Sequence, residues 1–158
     1  MTITVTAANR SVARKALAAL LQGALVGTGL PVEAVYDYQV ADFGVQSPVV
    51  VVTSAGSDPI VESERNVYFD IHTFVAYSAA DANNVILWTE EQSEDTLDLV
   101  EQMITSVIQQ NSDLKHELSP AWTLQGIVGR SQMLPIVISG IEYRHEVITV
   151  GCTLPNIA

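Results

Sequence analysis

Six carboxylates, Glu90, Glu91, Glu94, Asp95, Asp98 and Glu101, fall within the stretch EEQSEDTLDLVE, with no Lys or Arg among them. Acids grouped in this way can bind a divalent cation or pass a proton in acid–base chemistry. A second set lies on runs of alternating polarity. Asp70 and His72 are two residues apart, and His145 sits on a later run, so a His/Asp constellation would arise if folding joined the two runs. Two residues apart is also the spacing of any exposed sheet face, and a solvated or hydrogen-bonded side chain is the ordinary reading of each. Ser54, Ser57, Ser78 and Ser131 lack the G-x-S-x-G context of a strained nucleophile turn. Neither G-x-G-x-x-G nor G-x-x-x-x-G-K-S/T occurs to cradle a phosphate, and His116, in the polar DLKHEL, carries no independent signal.

Helical geometry decides what the acidic stretch does. At about 100° per residue, Leu97, Val100, Met103, Ile104, Val107 and Ile108 share one arc, and Glu91, Glu94, Asp95 and Asp98 occupy the opposite one, with Glu101 at its edge. The spacing therefore predicts an amphipathic helix over 90–110 whose carboxylates face away from the core. Thr89 followed by Gln92 forms a capping-box pattern, and acids in the first turn gain roughly 0.3 to 1 kcal/mol each from the helix dipole. Repulsion between acids four apart costs a similar amount, so local stability does not account for all of them. Metal-binding helices in bundles turn their carboxylates inward beside a Glu-x-x-His pair. This helix has no histidine, so a solvated or partner-facing surface is expected, with no metal and no cofactor.

The elements that would position these groups follow from periodicity. Between Ser11 and Val26, Ala13, Ala16, Leu17, Leu20, Leu21 and Ala24 recur at three and four, a helix that Gly27-Thr28-Gly29 and then Pro31 bring to a stop. Val32 to Tyr38 alternates as a strand with one buried face. Val49 to Val52 is apolar at every position, which predicts a strand covered on both sides. AGSDPIVESER is too polar for core and too long for a tight turn, which predicts a projecting loop near 54–65, or the tip of a long hairpin. Its Pro59, Ile60 and Val61 beside Asp58 suggest a contact with a neighbouring subunit, because such a loop rarely exposes two aliphatics without a use. NVYFDIHTFVAYS sets Val67, Phe69, Ile71, Thr73, Val75 and Tyr77 against Tyr68, Asp70, His72, Phe74 and Ala76, a long strand. AWTLQGIVG and the run from Leu134 to Cys152 complete the set. In the latter, Glu142, Arg144 and Glu146 oppose Ile141, Tyr143, His145 and Val147, and Pro135 and Gly140 mark bends or bulges. The order helix, three strands, helix, two strands, with strands joined by loops, predicts one α+β domain over residues 1–158. Two layers are expected: a mostly antiparallel sheet of about five strands with two main helices packed on it.

Composition narrows the function. A chain of 158 residues with 48% hydrophobic content suits one domain with a real core. Seven basic residues against eighteen acids give a net charge of −11, the wrong sign for gripping nucleic-acid phosphates or anionic lipid. Cys152 is the only cysteine, so an intramolecular disulfide and a cysteine zinc site are excluded, and burial is its expected state. Arg10, Arg14 and Lys15 before an apolar run give the N-terminus a superficial signal-peptide look. That run breaks at Gln22-Gly23, far short of the roughly 20 residues a membrane span needs, so a mature, soluble chain is expected.

The succession VYDYQVADFGVQSPVVVVTSAGSD, YFDIHTFVAYSAAD, WTEEQSEDTLDLVEQMI and GIEYRHEVITVG resembles the tail-terminator or tail-completion proteins of long-tailed bacteriophages, over roughly residues 9–151. The likeness is one of layout, with no catalytic motif to transfer. It implies a small virion subunit, made in the host cytoplasm, that assembles as a ring, usually a hexamer, on the end of the tail tube. It implies contacts with copies of itself, with the tail-tube protein and with a head-completion or connector protein, and no enzymatic activity. The loop bearing Asp58, Pro59, Ile60 and Val61, and the helix face bearing Glu91, Glu94, Asp95 and Asp98, correspond to regions that could face neighbours. An acidic lumen would let DNA pass without specific binding. A head–tail stopper or other neck protein is the near alternative. A small acidic ligand-binding domain or hydrolase centred on His72 or His145 is the alternative from another class.

Overall fold

Apolar residues three and four apart wind into α1 (Arg10–Leu25), which buries Ala13, Leu17, Ala18, Leu21 and Leu25 along one side. The computed structural model describes residues 10–44, 46–59, 64–77, 89–112 and 123–155. After α1 come β1 (Ala34–Tyr36), β2 (Val49–Ser57), β3 (Glu64–Ala76), α2 (Glu90–Asn111), β4 (Thr123–Ile127), β5 (Gln132–Met133), β6 (Ile136–Ile138) and β7 (Ile141–Pro155). The strands form one sheet in the order β1-β2-β3-β7-β4, with β5 and β6 also paired to β7. The predicted α+β class is what forms, two helices on a curled, mixed sheet. None of the described helices is long and apolar enough to cross a membrane.

The long strands β3 and β7 make the spine, in register from Glu64↔Pro155 to Ala76↔Tyr143. Period-two alternation then sorts their side chains. Val67, Phe69 and Ile71 of β3, with Ile148, Val150, Cys152 and Leu154 of β7, face the helices and meet Leu17, Leu21, Val100, Ile104 and Ile108. On the other face Val49, Val51, Phe74, Ala76 and Tyr143 make a second, smaller core closed by Phe43. The valine run of β2 thus feeds both cores, as its lack of alternation predicts.

Three features differ from the sequence expectation. First, β1 pairs with β2 in parallel, Ala34↔Val49 to Tyr36↔Val51. Parallel neighbours need a crossover of about a dozen residues, and the segment 37–48 supplies one that carries Phe43 against Phe74 and Tyr143 at centroid distances of 4.9 and 5.7 Å. Second, the strands run further into 54–65 than its composition suggests. Residues through Ser57 belong to β2 and those from Glu64 to β3, paired antiparallel as the long-hairpin alternative expects, and Ile60 and Val61, with the contact expected of them, lie outside the described residues. Third, the run from Leu134 splits into β6 and β7. Ser139 and Gly140, at φ 50° and 80°, form the reversal between them, a turn that takes glycine at its second position.

Candidate functional site

Folding joins the two histidines that the sequence holds apart. His72 of β3 and His145 of β7 project from the face away from the helices as a diagonal pair, two residues out of direct register, with His72 Nδ1 2.9 Å from His145 Nε2. Thr53 of β2, on the neighbouring strand, places Oγ1 2.9 Å from His72 Nε2. The three side chains form a relay, Thr53–His72–His145, in which donation in either direction satisfies every nitrogen involved. Asp70 continues the same face, accepts a 2.6 Å hydrogen bond from Thr149 of β7, and acts on His72 through its charge.

Packing sets the electrostatics of the pair. The Phe74 ring stacks on His145 at 4.4 Å and 7°, and His145 is 8% exposed. Burial disfavours the imidazolium, and the neighbouring His72 adds to the effect, so the His145 pKa falls to about 4. Burial also lowers that of His72, against the opposing pull of Asp70. Both rings are therefore neutral at pH 7. A neutral relay can shuttle a proton, and Thr53 is the one hydroxyl that the described residues place against it, where it would also need an open approach to act as a nucleophile. Open clefts among the described residues are lined by Arg10, Ser11, Arg14 and Arg65, by the α1–β1 junction around Lys15 and Tyr38, and by the β3–β4–β7 face around Tyr68. None of these reaches the histidines.

The acidic helix lies as its periodicity predicts. α2 buries Leu97, Val100, Ile104 and Ile108, and the capping box between Thr89 and Gln92 is formed. Glu91, Asp95 and Asp98 are exposed, and half-exposed Glu94 pairs with Arg144 of β7 at 2.7 Å. Two buried serines meet at the end of β3, Ser93 fastening the start of α2 to it and Ser47 the segment before β2. Ser93 donates to the Ala76 carbonyl, and the Ala76 N–H donates to Ser47 Oγ at 2.9 Å. Among the described residues no group of three or more His, Cys, Asp or Glu side chains could hold a metal ion. At the hairpin end, exposed Asp58 accepts from the Tyr68 hydroxyl at 2.8 Å, and Pro59 is exposed beside it.

Sequence reasoning missed two features. Glu146, on the helix-facing side of β7, is 6% exposed. Burial raises its pKa, the Ser131 hydroxyl that donates to it at 2.9 Å opposes the rise, and Glu101 and Asp98 of α2 add to it. The second is an apolar edge. β4, β5 and β6 follow one another along the outer side of β7, and among the described residues nothing pairs with them from outside. Ile127, Val128, Met133, Leu134, Ile136 and Val137 are exposed there, Val137 to 66%. A period of two marks Leu134, Ile136 and Ile138 as strand, but nothing local says that the strand ends a sheet. No protein-family model matches the chain, and no curated protein matches it significantly.

Proposed function

We propose that the chain is a structural assembly subunit, a tail-terminator-type protein that closes into a ring on the end of a phage tail tube and offers a docking surface to the head connector. The observation that carries the reading is the apolar edge from Ile127 to Val137, six exposed aliphatic or thioether side chains beside a strand edge that no other described strand pairs with. Natural sheets protect such an edge with charges or prolines, or use it to bind another chain. Here Pro135 is the single proline in the stretch and Arg130 its single charge, little protection for six apolar groups. The order of segments, which resembles that family, supports the same reading. In such a ring, a chain of net charge −11 lets DNA pass by repelling its phosphates.

Light scattering and negative-stain images of the purified protein test this. A closed ring with a central hole is expected. Replacing Leu134, Ile136 and Val137 together by Ser is expected to weaken assembly or tail joining, since each buried aliphatic contact contributes roughly 1 to 3 kcal/mol, and to leave the melting temperature of the subunit nearly unchanged. A compact monomer at all concentrations would sink the reading. A second reading, a small ligand-binding domain or hydrolase, rests on the Thr53–His72–His145 relay alone, which none of the clefts described above reaches. Under that reading His72→Phe abolishes an activity or a binding isotherm and leaves assembly alone.

A further inference from the structure

Three of the chain's seven basic residues line one open cleft of about 310 Å³: Arg10 and Arg14 of α1, and Arg65 of β3. Arg10 donates to Ser57 at 2.9 Å and Arg14 to Ser54 at 3.4 Å, so the guanidiniums are held by hydroxyls of β2. Among the described residues the single ion pair is Arg144–Glu94, and none of these three arginines meets a carboxylate. The first turn of α1 also contains no acid, so the cations sit where the helix dipole is itself positive. Among the described residues, then, this group of positive charges has no carboxylate partner in a protein with eighteen acids.

The opposite charge lies at the other end of the molecule. Arg65 stands near the start of β3, whereas α2 begins beside Ala76 at its end, through the Ser93 contact. Arg65 lies eleven strand residues, about 36 Å, from that contact, and Arg14, bonded to Ser54 opposite Phe69, lies seven residues, about 23 Å, from it, too far for an ion pair with the start of α2 within one subunit. The spacings agree. Arg10 and Arg14 are four apart on α1, and Glu91 and Asp95 are four apart on α2 with Asp98 following, each pair separated by about 6 Å along its helix. We propose that the arginine cleft of one copy receives the Glu91/Asp95/Asp98 face of a second copy, a head-to-tail contact between two different surfaces. A contact of this kind closes a ring when its rotation closes. The assignment rests on the assembly function proposed above and names the surfaces that carry it.

The test is a charge swap read by light scattering, with a melt on each protein. Arg10→Glu/Arg14→Glu sets acid against acid, and Glu91→Arg/Asp95→Arg sets base against base. Each alone is expected to stay monomeric at concentrations where the parent assembles. An equimolar mixture is expected to assemble, because every junction in an alternating ring is again complementary. Parent assembly is expected to weaken as salt rises. Where a reversal variant unfolds, Arg10→Gln and Glu91→Gln replace it, each expected to weaken association roughly tenfold. Reversal variants that form rings like the parent, or monomeric variants that the mixture does not rescue, overturn the contact and leave the assembly function standing. Parent protein that remains monomeric overturns both. A cleft that binds inorganic phosphate, loses it in Arg10→Glu/Arg14→Glu and keeps parent assembly is an anion site, which also overturns the contact.

Discussion

His145 and Glu146 are chain neighbours on opposite faces of β7, and their ionisation pulls stability in opposite directions with pH. The His145 pKa is lowered to about 4 in the fold, so the unfolded chain takes up the proton first as pH falls. Its contribution is fully present above the ordinary histidine value of 6.5 and is lost as pH falls from there toward about 4. Glu146 is raised, so the folded state holds its proton longer. That contribution is present below 4.5 and is lost as pH rises through the folded value. Melting temperatures from pH 7 to pH 4 are expected to fall less steeply in His145→Phe than in the parent. Glu146→Gln is expected to raise the melting temperature at pH 7, with the gain shrinking toward pH 4. A parent slope unchanged by His145→Phe would mean that the acid sensitivity comes from elsewhere.

At the scale of the element, α2 concentrates the two outcomes a substitution can have. Val100 and Ile104 are fully buried between the sheet and α1. Val100→Asp or Ile104→Asp places an unpaired charge there, and each is expected to cost several kcal/mol, measured by denaturant unfolding. Asp95→Asn and Asp98→Asn are expected to leave the fold within about 0.5 kcal/mol of the parent or slightly more stable, since they relieve like-charge neighbours. Glu94→Gln removes the Arg144 pair, in which Glu94 is 42% exposed, and is expected to cost less than about 1 kcal/mol. Exposed variants as damaging as the buried ones would mean that the helix is rotated from the position described.

The whole molecule presents two unlike surfaces, an apolar sheet edge and a pair of charge patches at opposite ends of β3. Their salt responses differ. Loss of Leu134, Ile136 and Val137 is expected to weaken assembly by a similar factor at low and high salt, because apolar burial carries no screened charge. Loss of the arginine cleft is expected to matter most at low salt. Measuring both series by light scattering separates the surfaces, and parallel salt curves would show that they are one interface. Chelator treatment is expected to leave the melting temperature unchanged, and a loss of stability that one divalent metal restores would reverse that expectation.

Much of the architecture was legible in the residues, because helix and strand periods are local. The inward arc of α2, the capping box at Thr89 and Gln92, the two-sided valine strand, the burial of Cys152 and the alternation of β3 all follow from neighbours within a few positions. What the tertiary structure decided depends on register between distant segments. His72 and His145 are 73 residues apart, and the β3–β7 register brings their nitrogens to 2.9 Å. The same register and the packing of α2 bury Glu146, a charged residue that its strand pattern places beside Glu142 and Arg144 without showing which of the three is covered. The parallel pairing of β1 needed the crossover 37–48 to fold over the far face. Exposure of the Ile127–Val137 edge turns on which strand comes last in the sheet. Strand order is set by the summed burial of both faces, a property of the whole chain that no short window of residues contains.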